Sequence, residues 1–181
     1  MIINRTLSND TDDTAQSIPL THFQLVGEFH DTFGHPQRET LFEDCFTVDP
    51  KMVPFRISLI REELNEFKDA WTKHDVTEMA DALCDLSYVT NGSGQCLGID
   101  LDKLASTMGI DINTPQNFDH KVDYLNPQFF EENNETIHSG VTNIEYYLTE
   151  FCESADDQDL QKMGEYLVHI LDETYLSLIH I

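Results

Sequence analysis

The residues with the most chemical potential in this 181-residue chain are carboxylates. Glu62-Glu63-Leu64-Asn65-Glu66 is followed, after eleven intervening residues, by Glu78-Met79-Ala80-Asp81, with Asp85 one helical turn beyond. On a helix, Glu62 and Glu66 stand one turn apart on the same side. On a second helix, Glu78, Asp81 and Asp85 form a single stripe at i, i+3 and i+7. Two antiparallel helices joined by a tight turn bring the stripes face to face. Four or five facing carboxylates repel strongly unless a cation sits among them. An oxygen-only ligand set suits Mg²⁺ or Mn²⁺, and Mg²⁺ keeps waters and accepts phosphate oxygens as further ligands.

Plainer readings stand beside this one. A Glu pair at i, i+4 is most often a solvated helix face, and Glu78, three residues after Asp75, completes a capping box equally well. Glu62 points nearly opposite the apolar seam of its helix, whereas Glu63 lies beside it. Glu62 therefore lines a site only where another helix or subunit covers that side. What favours chemistry is the joint pattern: an acidic triplet, a turn and an acidic pair, flanked by core positions.

The elements that must position these residues are helical. Ile57, Ile60, Leu64, Phe67 and Trp71 step by +3, +4, +3 and +4, which predicts a helix over about Pro54–Thr72 buried along one seam. Residues from Asp75 to about Leu97 predict its antiparallel partner, with Asp75 as N-cap and Met79, Leu83, Leu86 and Val89 inward. Ala80, Ala82, Gly92 and Gly94 permit close helix approach; Gly98 ends the element and Asp100 caps a short successor. Upstream, Leu20, Phe23, Val26 and Phe33 predict a helix stopped by Gly34 and Pro36. The expected organisation is a disordered polar leader over residues 1–19, a helical core with the carboxylates over 20–108, a loop-rich connector over 109–140, and a C-terminal helical hairpin over 141–181, broken near Ser154–Asp159 and packed on the same bundle. No β-alternation of note occurs. The fold class is all-α, an antiparallel helical bundle.

Shifting the chain by 84 positions aligns Leu64-Asn65-Glu66-Phe67 with Leu148-Thr149-Glu150-Phe151, Asp75 with Asp159, Met79 with Met163 and Leu83 with Leu167; from Ile60 to Thr90, 8 of 31 positions are identical without a gap. Two amphipathic hairpins also resemble each other by pattern alone, so both a duplication and a coincidence remain open. The differences are informative: Glu62, Glu63 and Glu78 face Tyr146, Tyr147 and Lys162. A second copy would have lost the acids and kept the core, which makes it a scaffold.

Composition narrows the partners. Lys and Arg total 10 against 34 Asp and Glu, a formal net charge of −24. Such a field repels nucleic acid and anionic membranes. A nucleotide would need a divalent cation for much of its recognition. The four cysteines (Cys45, Cys84, Cys96, Cys152) show no C-x-x-C spacing and are expected as reduced, partly buried thiols. With neither a signal-type apolar stretch nor a run of about 18 apolar residues, the expected location is the cytoplasm.

The sequence resembles the MazG-like, all-α NTP pyrophosphatases, whose hallmark is E-E-x-x-E followed by E-x-x-D, and which include helical dUTP and dCTP pyrophosphatases and phosphoribosyl-ATP pyrophosphohydrolase. The likeness covers about residues 22–104. It extends to Phe29-His30-x-x-Phe33-Gly34, Arg56-Ile57-Ser58-Leu59-Ile60-Arg61-Glu62-Glu63, Asp81-Ala82-Leu83-Cys84-Asp85-Leu86-Ser87-Tyr88-Val89 and Gly98-Ile99-Asp100-Leu101-Asp102. The resemblance implies that Glu62, Glu66, Glu78 and Asp81 hold Mg²⁺ (or Mn²⁺) bearing the triphosphate. It implies that Glu63 orients or deprotonates the attacking water, and that Asp85 supports the ligands from behind. Cleavage between the α and β phosphates would give a nucleoside monophosphate and pyrophosphate, with dUTP or dCTP as the expected substrate and nucleotide-pool sanitising as the role. Phe29, His30, Phe33, Arg56, Tyr88 and Lys103 are the expected substrate contacts. A homodimer or higher homo-oligomer is implied as well, because the family's sites commonly form in bundles assembled from two subunits.

One departure concerns phosphate. The family usually follows Gly-Ile-Asp-Leu-Asp with a helix carrying Asn and a nearby Lys, whereas here the stretch reads Lys103-Leu104-Ala105-Ser106-Thr107-Met108-Gly109. Lys103, Lys121, Arg56 or Arg61 are the available substitutes. His30-Asp31 and His74-Asp75 resemble the dyad of HD-type phosphohydrolases but lack its further ligands, and His74 falls in a predicted turn. Neither an H-E-x-x-H motif, a P-loop nor a Gly-rich dinucleotide fingerprint is present. Trp71 reads as core. The rival from another class is a non-catalytic acidic binding module or DNA mimic, whose acids spread over the outer surface.

Overall fold

In the computed structural model, residues 19–113 and 128–179 are described, and among them all regular structure is helical. The elements are α1 (His22–Phe33), α2 (Cys45–Val48), α3 (Met52–Lys73), α4 (Val76–Leu97), α5 (Leu101–Met108), α6 (Gln128–Asp156) and α7 (Leu160–Ile179). Almost all of the expected leader lies outside the described residues, as do 114–127 of the expected connector and Lys121.

Local chemistry sets the boundaries. Thr21 and Gln24 form a reciprocal capping box at the start of α1, and Gly34, in the left-handed region at φ 69°, ends it. Asp75 caps α4, its side chain accepting from the Glu78 N–H, and Asp100 caps α5 through the Lys103 N–H, as the sequence predicts. His74 takes a left-handed conformation at φ 57° and turns the chain from α3 directly into α4. All-α and antiparallel holds, but the last part of the expected connector, 128–140, is helical rather than loop. Residues from Gln128 onward belong to α6, a helix of 29 residues. Its first turns are dense in Asn and Glu, weak formers or solvated positions, while Phe130, Ile137, Val141 and Ile144 are buried at helical spacing. Tertiary burial of that stripe decides the matter.

The core lies between the α3–α4 hairpin and the α6–α7 hairpin. Ile60, Leu64 and Phe67 of α3 and Met79, Leu83 and Leu86 of α4 meet Ile144, Leu148 and Phe151 of α6 and Met163, Leu167 and Leu171 of α7 in one apolar cluster. The C-terminal half of α4 is the most enclosed segment: every residue from Thr90 to Leu97 is buried. Its glycines make that possible. A Cβ on Gly94 would stand 2.7 Å from Leu101 Cγ, and one on Gly92 would stand 2.7 Å from Arg56 Nη2. The strap from Pro36 to Phe42 crosses this end of α4, with Arg38 N donating to Gln95 O and Phe42 N to Leu97 O, each at 2.9 Å. Cys45 and Cys96 are buried, Cys152 is half-buried, Cys84 is exposed, and all four are free thiols. No helix among the described residues is long and apolar enough to cross a membrane.

Gly98 joins the strap to the helix end. It sits at φ 68°, where a Cβ would lie 1.9 Å from the Thr40 carbonyl oxygen. Gly98→Ala therefore combines left-handed strain with a backbone clash, and should lower unfolding free energy by at least about 2 kcal/mol, read from urea denaturation midpoints.

Candidate active site

Because α3 and α4 are antiparallel and joined by the short His74–Asp75 turn, the two acidic stripes share one groove. Glu63, one residue before the buried Leu64, is half-buried at its floor, whereas Glu62, Glu66, Glu78, Asp81 and Asp85 are exposed along its edges. Burial, followed by the charges of Asp85, Glu66, Glu62 and Asp81, pushes the Glu63 carboxyl up to about 7. Burial and Asp81 likewise raise Asp85. The charges acting most strongly on Glu63 are thus all carboxylates, drawn from both helices, with no lysine or arginine among them. Nearby cations are engaged elsewhere: Lys68 pairs with Glu145 of α6, and Arg61 Nη2 approaches Cys152 Sγ at 3.6 Å.

The structure therefore brings Glu62, Glu63, Glu66, Asp81 and Asp85 into one field. Glu78 stands apart from the charges that act on Glu63, in the first turn of α4, where its N–H donates to Asp75 Oδ1 at 3.2 Å. The all-oxygen, mutually repelling set matches a hard divalent cation in chemistry, although among the described residues no three acidic, histidine or cysteine side chains converge into a ready-made cage.

Along α4 the acidic stripe continues into a different surface. Tyr88 and Gly92 follow Asp85 on the same face, and there α1 packs across. The Phe29 ring meets Tyr88 edge-on at 5.4 Å and lies against Phe33 at 4.4 Å. His30, buried, has its ring 6.1 Å from Tyr88 and 5.3 Å from His35. Its Nδ1 lies 2.8 Å from the Pro36 carbonyl oxygen and must donate to it, so the neutral ring leaves Nε2 as an acceptor beside Gly92. Burial lowers the His30 pKa, outweighing the Pro36 bond, and Arg56 lowers it further. Arg56 is itself buried; it donates to Ser93 Oγ at 3.1 Å and to the Val89 carbonyl. Five of the six expected substrate contacts, Phe29, His30, Phe33, Arg56 and Tyr88, gather in one aromatic and cationic cluster where α1 crosses α4, next along that helix from Asp85.

Lys103 is placed elsewhere. It begins α5 and lines a cleft with Leu41, Leu104, Thr107 and Leu160, away from both the acids and the aromatic rings. His35 was not foreseen. Its signal was Gly34, whose left-handed turn folds His35 back so that its N–H donates to the His30 carbonyl at 2.8 Å. His74 stacks on Phe130 at 4.2 Å in the hairpin turn and is not gathered with His30.

The profile of the phosphoribosyl-ATP pyrophosphohydrolase family matches residues 26–109. A curated protein of Acanthamoeba polyphaga mimivirus, named uncharacterized protein L479, is 41% identical over 90 residues, covering 50% of this chain and 36% of that relative. The chain thus matches little more than a third of the relative's length. No solved structure matches it.

The raised Glu63 carboxyl has a measurable consequence for the metal-free protein. Because the folded state holds this proton more tightly than the unfolded chain, the contribution of Glu63 to folded stability is full below the unfolded value near 4.5 and is lost as pH rises toward and past about 7. Glu63→Gln removes that loss. At pH 8 with chelator it should be more stable than the parent by about 1 kcal/mol after allowance for solvent screening, a Tm rise of about 2–4 °C, with the gap closing at pH 4. The domain match, the helical fold and the paired acidic stripes agree: residues 26–109 form a domain of the phosphoribosyl-ATP pyrophosphohydrolase family, within the MazG-like all-α superfamily.

Proposed function

We propose that the chain hydrolyses a nucleoside triphosphate between its α and β phosphates, releasing a nucleoside monophosphate and pyrophosphate, with Mg²⁺ (or Mn²⁺) as its cofactor. The single observation that carries this reading is Glu63, held near neutrality in a field made of carboxylates from two facing helices, inside a domain of a pyrophosphohydrolase family. Glu62, Glu66, Glu78 and Asp81 are the residues to hold the cation. Bound there, it neutralises phosphate charge and polarises the attacking water.

The other steps belong to the chain. Glu63, half-buried between the stripes, accepts the proton that water gives up as its oxygen bonds to phosphorus and the α–β anhydride bond breaks. Burial, the largest cause of its raised proton affinity, stays in place when a cation neutralises the neighbouring acids, and a half-buried carboxylate is suited to that work. Asp85, across the groove, keeps Glu63 basic through its charge. Phe29, Phe33 and Tyr88 offer ring faces and edges to a base, and the Arg56 guanidinium is the cation nearest that end. A net charge of −24 leaves little else to attract an unchelated triphosphate. A deoxynucleotide such as dUTP is the first candidate, dCTP the second, and phosphoribosyl-ATP enters through the family's own description. The chain is expected to act on free nucleotides in the cytoplasm.

The rival reading, an acidic binding module, gives the groove no reason to respond to a metal. Two measurements separate them. A panel of common NTPs, dNTPs and phosphoribosyl-ATP with Mg²⁺ should release pyrophosphate; orthophosphate as the primary product would contradict the cleavage site. Glu63→Gln should cut kcat by about 10²–10⁴. Millimolar Mg²⁺ should raise Tm in the parent and leave Glu66→Gln unmoved; equal shifts in both would sink the proposed ligand set.

A further inference from the structure

The α6–α7 hairpin repeats the α3–α4 hairpin atom by atom at its turn. His74 and Gln158, 84 positions apart, both sit at φ 57°. Asp75 N donates to Ala70 O at 2.9 Å, and Asp159 N to Ser154 O at 2.8 Å; His74 N reaches Trp71 O at 3.0 Å, and Gln158 N reaches Ala155 O at 3.1 Å. Asp75 Oδ1 caps the Glu78 N–H at 3.2 Å, and Asp159 Oδ1 caps the Lys162 N–H at 3.1 Å. Every donor and acceptor in one set maps onto the other by the same shift. Burial follows it too: Ile60/Ile144, Phe67/Phe151, Met79/Met163, Leu83/Leu167, Leu86/Ile170 and Thr90/Thr174 are all 0% exposed.

The contacts between hairpins are reciprocal. Arg61 touches Cys152, which is the counterpart of Lys68; Lys68 touches Glu145, which is the counterpart of Arg61. Asn91 touches Tyr175, its own counterpart. Residue i meeting j′ while j meets i′ is the signature of a two-fold axis, and a residue meeting its own counterpart lies at that axis. Two unrelated amphipathic hairpins have no reason to satisfy it.

We infer that the two hairpins are copies of one unit paired about a local two-fold axis near Asn91 and Tyr175, with one working carboxylate groove and one silenced copy per chain. At the positions of Glu63 and Asp85, the second copy places Tyr147 and His169, stacked at 4.6 Å and 10°. At the positions of Ala82 and Glu66, Tyr166 donates its hydroxyl to Glu150 Oε2 at 3.0 Å. Lys162 stands for Glu78, and Gly140 for Arg56: the Cβ position of Gly140 is 2.6 Å from Ser177 Oγ, the counterpart of the Ser93 hydroxyl that Arg56 bonds. Stacked rings fill the position where Glu63 and Asp85 repel in the first copy; the two acids that remain, Glu150 for Glu66 and Glu165 for Asp81, accept hydrogen bonds from Tyr166 at 3.0 Å and Gln161 at 3.1 Å, so neither is left free for a divalent ion as in the first groove. The seam on which another chain's hairpin would pack is already occupied from within.

The pairing stands on geometry alone, while the working-versus-silent distinction rests on the proposed function, and the two are tested separately. Full-length chains labelled with ¹⁴N and ¹⁵N are mixed unfolded, refolded together and coupled with a carbodiimide, which joins Lys68 to Glu145. Mass spectrometry should find this cross-link within single chains only; mixed-isotope cross-links would overturn pairing within the chain. Mn²⁺ binding to the folded full chain, followed by its paramagnetic resonance, should fall more than tenfold in Glu66→Gln/Asp81→Asn. Retention of about half the wild-type stoichiometry would show a second binding groove and overturn the silent copy. Absence of Mn²⁺ binding to the parent would overturn the silent-copy claim together with the proposed cofactor, and the cross-link pattern would still decide the pairing.

Discussion

Like charges held together against an apolar seam are the constraint on which this protein depends. The seam of α3 and α4, with Ile60, Leu64, Phe67, Met79, Leu83 and Leu86, fixes the register of the hairpin, and that register places Glu63 opposite Asp85. Burying several such side chains contributes on the order of 2 kcal/mol each, enough to hold carboxylates where water would otherwise let them separate. The repulsion does not disappear. It is stored as raised proton affinity at Glu63 and Asp85, and it is what a cation or a proton relieves.

The seam can do this because its opposite face is fully covered. α6 and α7 pack on the apolar seam of the hairpin and leave Glu62, Glu66, Asp81 and Asp85 exposed. The same packing explains the enclosed end of α4, where Gly92 leaves room for the Arg56 guanidinium and the His30 ring. An arginine buried there with hydrogen bonds to Ser93 and Val89, beside a neutral histidine, is a fixed positive group at one end of a negative groove.

Duplication supplies a physical account of why the second hairpin kept the same core residues while replacing four of the six groove acids, at the positions of Glu62, Glu63, Glu78 and Asp85. Packing about a two-fold axis constrains both copies equally, because each buried position meets its counterpart's neighbours. Groove positions carry no such constraint. There the second copy exchanged repelling carboxylates for the Tyr147–His169 stack, which buries ring surface and removes the electrostatic strain.

Much of this was legible in order along the chain. The spacing of Ile57 through Trp71, the caps at Asp75 and Asp100 and the stop at Gly98 determine the helices and their ends, because helix periodicity and capping are local. The acidic pattern likewise identified Glu63 as the residue beside the seam. Three things needed the fold. The first turns of α6 are rich in Asn and Glu and became helix only through the burial of Phe130 and Ile137. Whether Lys103 or Arg56 stands near the groove depends on how α5 and α1 pack on α4, which spacing does not encode. The reciprocal contacts of Arg61, Lys68 and Asn91 exist only between elements more than 70 residues apart, as the Lys68–Glu145 pair shows. Sequence set the local periodicities and the acids; tertiary packing chose which faces meet, since burial depends on every neighbour at once.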